Sequence, residues 1–247
     1  MVGVAEVENK NVLNDLIKSK HLNAHGYKFV HFDSPDERGI DTALLYRENF
    51  FTVLESEAIP FYINNPNGQR DYTRDILYVK GELENNIIHL LINHWPSRRS
   101  GFDETVYKRK AAAIKNREIL ENIIDEDPNA KIIIMGDFND NPSSESIQIL
   151  KNTDFYNPMD LLLTNENGTL NYKGEWNLFD QILISNNFLK PYNNPLQFVE
   201  SNIFNPKELQ ELVGKYKGNP FRTYIGDKFL GGISDHFPVY EVFSVKK

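Results

Sequence analysis

Two nearly unbroken apolar runs constrain the fold of this chain more than any other feature. Residues 87–94 and 131–135 show no apolar–polar alternation, which is the pattern of strands covered on both faces. Each run stops abruptly at polar residues, Asn93 and His94 in the first and Gly136 and Asp137 in the second. Residues 1–7, 42–46, 76–79, 179–185 and 239–245 read as further strands. Helical spacing is rarer. Val12, Leu13, Leu16 and Ile17 share one face behind a cap at Asn9 or Asn11, and residues 104–125 carry a stripe of Val106, Ala113, Leu120 and Ile124 that Pro128 ends. Residues 186–232, rich in Asn, Pro and Gly, read as long surface connections. Many strands with few helices predict an α+β fold in which sheets pack on each other and helices lie outside. No repeat or linker divides the 247 residues, so residues 1–247 are expected to form one domain.

Composition narrows the chemistry. The absence of cysteine excludes disulfides, thiolate zinc sites and cysteine nucleophiles, so a bound metal must rest on oxygen or imidazole. A net charge of −8 argues against nucleic-acid binding through a broad positive field. A local strip of Arg98, Arg99, Lys108, Arg109 and Lys110 is still expected to attract phosphate. No apolar stretch reaches the roughly 18 residues of a membrane span, and residues 1–3 open no signal peptide. Localisation and oligomeric state stay open.

Four motifs place chemistry at strand ends. Residues 132–140 deliver Asp137, Asn139 and Asp140 into a tight turn; a plain Asx-rich turn is the alternative. As a site, Asp137 would orient or deprotonate water while the Asn139 amide donates to a phosphoryl oxygen. In Asn93-His94-Trp95-Pro96-Ser97-Arg98-Arg99 the histidine is either a satisfied strand-end ring or a phosphate contact, and the guanidinium groups beside it suit phosphate oxygens. Ser234-Asp235-His236 precedes the last strand, and either Glu6 or Glu8 in the motif of residues 2–9 offers a hard ligand for magnesium or manganese.

Together these motifs resemble the endonuclease/exonuclease/phosphatase superfamily over nearly the whole chain. Ala5-Glu6-Val7 is similar to its Gln-Glu-Val metal motif, which selects Glu6 over Glu8. Gly136-Asp137-Phe138-Asn139 and Ser234-Asp235-His236 resemble its two most diagnostic motifs, and the strand from Phe179 to Ser185 resembles the one whose aspartate, here Asp180, orients the last histidine. The resemblance implies a four-layer αββα sandwich of two mainly antiparallel sheets flanked by helices. It implies metal-dependent in-line attack of water on phosphorus, with Glu6 and Asp235 holding magnesium or manganese, Asp137 activating water, and Asn139, His94 and His236 neutralising charge. Asn93, Arg98 and Arg99 are the expected substrate contacts. One departure is visible: relatives usually begin with a further strand carrying an Asn near the metal, and this chain starts after it, as if N-terminally truncated. A missing strand would leave neighbouring backbone groups unpaired.

Three functions follow: a phosphodiesterase or nuclease acting on DNA or RNA; a phosphomonoesterase or phospholipid-headgroup hydrolase of the same chemistry; or a catalytically weak module that binds metal or phosphate. No exposed aromatic-rich hairpin suited to lipid insertion is evident, which counts against the lipid form.

Overall fold

The computed structural model describes residues 1–99, 101–190 and 194–245. Its centre is a six-stranded sheet in which Phe51–Ile59, Ile76–Leu83, Asn86–His94, Lys131–Asp137, Asp180–Ser185 and Phe155–Tyr156 lie side by side in that order. All neighbours are antiparallel except Asn86–His94 and Lys131–Asp137, the two apolar runs, which lie parallel at the sheet centre. A parallel pair needs a long crossover, and helix Phe102–Glu126 supplies it.

That helix and helix Glu145–Lys151 bury Ala113, Leu120, Ile123, Ile147 and Leu150 against Leu91, Ile132, Ile134 and Leu183 on one face of the sheet. On the other face Leu77, Leu90, Ile92 and Ile133 meet Leu44 from a three-stranded sheet, and Leu196, Phe198 and Phe243 from a two-stranded one. The first of these sheets has Asp41–Arg47 between Val2–Val7 and Tyr27–His31, and the second pairs Leu196–Ile203 with Val239–Val245. Helix Lys10–Ile17 covers the outside, with Leu13 against Val7 and Ala43. Each fully buried aliphatic side chain contributes about 1.5–3 kcal/mol, so burial on both faces of the central strands is what joins the layers. The expected four-layer sandwich is the observed fold.

Asn9 proves to be the cap of the first helix, its Oδ1 accepting from the Asn11 and Val12 amides at 2.8 and 3.3 Å. Several elements lack an apolar signature and escape the sequence reading: Tyr27–His31, Phe51–Ile59, Leu196–Ile203 and helix Glu145–Lys151. Phe51–Ile59 is an edge strand whose Leu54, Glu55, Ser56 and Glu57 face solvent. Residues 186–232 are not all connection, for they also hold a hairpin of Tyr224–Ile225 and Lys228–Phe229. The long helix buries a different stripe from the one expected. Ala113 and Leu120 are inside, but so are Thr105, Arg109 and Asn116, which a search for apolar periodicity passes over.

Among the described residues Val2–Val7 and Val239–Val245 are each paired on one side only. Between them runs a groove of about 610 Å³, floored by Ile92, Ile133 and Met135 and reaching Asp137 and Asp180 at one end. Glu241 lines this groove, and neither oxygen of its buried carboxylate has a hydrogen-bond partner among the described residues. Burial pushes Glu241 up to about 8 from an ordinary value of 4.5. The native state therefore keeps a proton that the unfolded chain releases, and stability falls as pH rises from the lower value through the upper one. Glu241→Gln removes that linkage. From about pH 5 to about pH 9 its melting temperature should fall less than the parent's, whereas parallel curves would show the carboxylate to be solvated.

Candidate active site

Strand register sets the site. In the parallel pair His94 lies opposite Asp137, and in the adjacent antiparallel pair Asp137 lies opposite Asp180, so three strand ends carry these side chains at one level. His236 arrives from the loop before the last strand. Its neighbour Phe237 donates its backbone N–H to the Thr169 carbonyl at 2.8 Å, while the Thr169 hydroxyl accepts from the amides of Phe179 and Asp180 at 3.1 and 3.3 Å. One threonine thus fixes the loop of His236 against the strand of Asp180.

Nδ1 of His236 lies 2.7 Å from Oδ2 of Asp180, and donor atoms of Asp137, Asp180 and His236 all fall within 4.8 Å of one another. Burial opposes a charge on His236, but the carboxylates of Asp180, Asp137 and Asp235 outweigh it and raise the imidazole to about 10. Burial raises Asp137 above the usual carboxylate range, with Asp180 adding to the effect and His236 working against it. His94 behaves in the opposite way. Burial, with Arg74, Arg38 and His236 nearby, lowers its pKa well below 6.5, so it is neutral, with Nε2 3.6 Å from Asp137 and Nδ1 without a partner among the described residues.

The turn after Asp137 is built to aim that carboxylate. Gly136 has φ +144°, and a Cβ there would lie 1.9 Å from the Asn93 carbonyl oxygen, so only glycine lets the two strands approach. Asn139, at φ 51°, gives its backbone N–H to Asp137 Oδ1 at 2.8 Å. Its side-chain amide, expected to meet a phosphoryl oxygen, instead donates to Asp137 Oδ2 at 3.2 Å and to the Trp95 carbonyl at 3.0 Å. In this geometry Asn139 positions Asp137.

The cationic strip is largely consumed by internal pairs. Arg98 donates to the Asn139 carbonyl and to Asp140, both at 2.7 Å, and fully buried Arg109 pairs with the other Asp140 oxygen at 2.9 Å. Lys108 pairs with Asp71, and Lys110 with Glu145 at 2.6 Å. Arg99 is exposed. Asn93 is buried, its Oδ1 accepting from Trp95 Nε1 at 3.0 Å and from Asn116 at 2.8 Å, which makes it a brace beneath the site.

The two expected metal carboxylates are exposed, unlike the half-buried cluster of Asp137, Asp180 and His236. A register shift between Val4 and Val7 and a φ of 59° at Glu6 form a bulge that re-aims the glutamate, a device common beside active sites. Glu6 is exposed, 3.4 Å from Arg38, and Asp235 is exposed, 3.8 Å from Arg222. Sequence reasoning missed Arg74 and Asp36. Paired at 2.8 Å, they hold the His94 and Trp95 carbonyls through Arg74 at 3.1 and 2.6 Å. A single charge in a loop reads as solvated, and no pattern in the sequence marks this pair as buried.

With this geometry in hand, comparison decides the affiliation. Residues 1–246 match the Endonuclease/Exonuclease/phosphatase family. The chain belongs to that family. Solved structures agree on the fold of this family member. Truncated Caenorhabditis elegans TDP2 has a TM-score of 0.63 at 18% identity, covering 98% of this chain and 83% of that one. A mannosyl-6-phosphatase from Bacteroides thetaiotaomicron gives 0.61 at 16%, over 98% and 84%. D. rerio TDP2 complexed with a single-strand DNA product gives 0.60 at 19%, over 99% and 85%. No curated protein sequence matches.

The donor set suits the divalent cation on which the family depends. Among the described residues Glu6 and Asp235 make only long contacts to arginines, and they offer the oxygen donors that a hard divalent cation takes. A second acid–histidine group, His31, Asp33 and Asp41, has its buried His31–Asp41 pair closed at 2.9 Å, with Ser34 bound to the same aspartate. Those contacts give it a structural role in pinning the loop before Asp41. No helix among the described residues is long and apolar enough to cross a membrane.

Proposed function

We propose that this family member hydrolyses phosphodiesters, with nucleic acid as substrate and magnesium or manganese as cofactor. The observation that carries the reading is His236, held charged at 2.7 Å by Asp180 beside a half-buried, proton-avid Asp137. Asp137 takes a proton from the attacking water, aimed by Asn139 and the Trp95 turn. The water oxygen bonds to phosphorus as the opposite ester bond breaks, and the leaving alkoxide takes a proton from solvent and departs as the alcohol. His236 supplies a fixed positive charge for the phosphoryl oxygens, and neutral His94 donates a hydrogen bond without repelling the cation. Glu6 and Asp235 would hold the metal, which supplies Lewis-acid charge when bound. The DNA product seen with D. rerio TDP2 supports nucleic acid as the first substrate to try.

The test compares a chromogenic bis-ester with the matching monoester, and single-stranded DNA and RNA, with magnesium, manganese or chelator. Turnover of the bis-ester and of nucleic acid should exceed that of the monoester about tenfold, and should fall at least about tenfold on chelation. Rates indifferent to chelator would remove the metal from the mechanism.

A phospholipid-headgroup reading gains one observation. The hairpin Tyr224–Ile225/Lys228–Phe229 leaves Tyr224 55% and Phe229 64% exposed, with Leu212, Val213 and Ile233 also outside, where the sequence showed no such hairpin. Hydrolysis of phosphatidylcholine vesicles above the rate on nucleic acid would favour it.

A further inference from the structure

A second pocket, of about 450 Å³, lies between the hairpin of Leu170–Tyr172 and Glu175–Asn177 and the connection that carries Glu211, Tyr216 and Arg222. Both walls are tied to the loops of the site. The hairpin leaves Thr169, which bonds Phe237, Phe179 and Asp180. On the opposite wall the Ile233 amide donates to the Phe221 carbonyl at 2.9 Å and the Thr223 hydroxyl to the Gly232 carbonyl at 3.1 Å, just before Asp235. Arg222 belongs to both places: it lines the pocket, and its guanidinium reaches Asp235 at 3.8 Å.

The lining has an unusual charge for a chain of net −8. Lys173, Lys215 and Arg222 face one carboxylate, that of Glu211. Neither lysine has a carboxylate partner among the described residues; each ammonium rests on the ring of the adjacent tyrosine, Lys173 at 5.1 Å from Tyr172 and Lys215 at 5.5 Å from Tyr216. These rings are 61% and 49% exposed. Lys173 and Gly174 both have positive φ, 54° and 94°, the geometry of a tight hairpin turn that costs a lysine backbone strain and sets it at the pocket rim.

We infer that this pocket is a subsite for one nucleotide unit flanking the scissile phosphate. It deepens the phosphodiesterase reading and rests on it for the position of that phosphate. Lys173, Lys215 and Arg222 take the phosphate charge, a base stacks on Tyr172 or Tyr216, and Glu211 accepts from a base amino group or a sugar hydroxyl. The volume lies in the range of pockets that enclose a small molecule, roughly 300–1,000 Å³.

Binding tests this without turnover. A fluorescein-labelled single-stranded deoxyhexanucleotide is titrated into the full chain in EDTA, with AMP and inorganic phosphate as separate competitors. The double variant Lys173→Gln/Lys215→Gln should bind about tenfold or more weakly, and its salt slope should be lower by about 1.4, since each lysine on a single-strand phosphate contributes about 0.7. Tyr216→Ala should lose about tenfold, and Tyr216→Phe should restore binding because the ring is kept. All these side chains lie at the pocket surface, so melting temperatures should match the parent's. Competition by AMP marks a site filled by a free nucleotide; hexanucleotide binding that AMP leaves intact marks one that needs a strand, and either supports the subsite. Parental affinity in the lysine and Tyr216→Ala variants overturns it, as does phosphate competing as well as AMP. Binding to phosphatidylserine vesicles that the lysine variant loses, with hexanucleotide binding unchanged, also overturns it in favour of a lipid surface. A parent that binds the hexanucleotide through these residues yet hydrolyses no phosphoester would defeat the hydrolase reading, and with it the flanking position, and leave the nucleotide-binding pocket standing.

Discussion

Asp137→Asn is expected to lower phosphodiester turnover by about 10³-fold or more, roughly 4 kcal/mol of barrier, with little change in melting temperature. Asparagine keeps the shape and one acceptor for the Asn139 amide, but it accepts no proton from water. Stability should not suffer, because the ionised Asp137 is itself disfavoured by burial. The pH profile adds a second readout. Activity requires Asp137 ionised, so it should rise with pH above the ordinary aspartate range, and it requires His236 protonated, so it should fall as pH passes about 10. Asp180→Asn removes the largest influence that raises His236, and the alkaline limb should then move to lower pH. A loss of less than tenfold in Asp137→Asn would assign water activation to another group.

Asp140→Ala is expected to destabilise the protein by about 3–5 kcal/mol, the cost of leaving a buried charge without its partner. At roughly 2–4 °C per kcal/mol for a chain of this size, the melting temperature should drop by about 6–20 °C. The carboxylate is 1% exposed; it accepts hydrogen bonds from Arg98 at 2.7 Å and Ser146 at 2.5 Å, and it is ion-paired with Arg109 Nε at 2.9 Å, a side chain with no exposed surface of its own. Activity should fall as well, since Arg98 uses this anchor to hold the Asn139 carbonyl at 2.7 Å. Asp140→Leu combined with Arg109→Met should recover much of the stability and little of the activity, because the buried charge is gone but Arg98 is still unanchored. A melting temperature within about 2 °C of the parent's in Asp140→Ala would show that water reaches the pair.

The sequence by itself determined the layers and the level at which chemistry occurs. Residues 87–94 and 131–135 demand cover on both faces, which forces a sheet sandwiched between other layers, and their abrupt polar ends put His94 and Asp137 at its rim. The resemblance of the motifs to known ones, in their order along the chain, was enough for the family. Burial of polar groups was not legible, because a lone Arg74, Asp36, Arg109 or Asn116 looks solvated until another segment closes over it. For the same reason the cationic strip read as a phosphate trap, and the tertiary structure turned most of it inward as braces. Only the folded chain decided that Asn139 spends its amide on Asp137 and Trp95, and that Lys173 and Lys215, about 40 residues apart, share one pocket. Local patterns report how a segment meets water on average; which charge finds which partner depends on contacts between distant segments, and these exist only once the layers have packed.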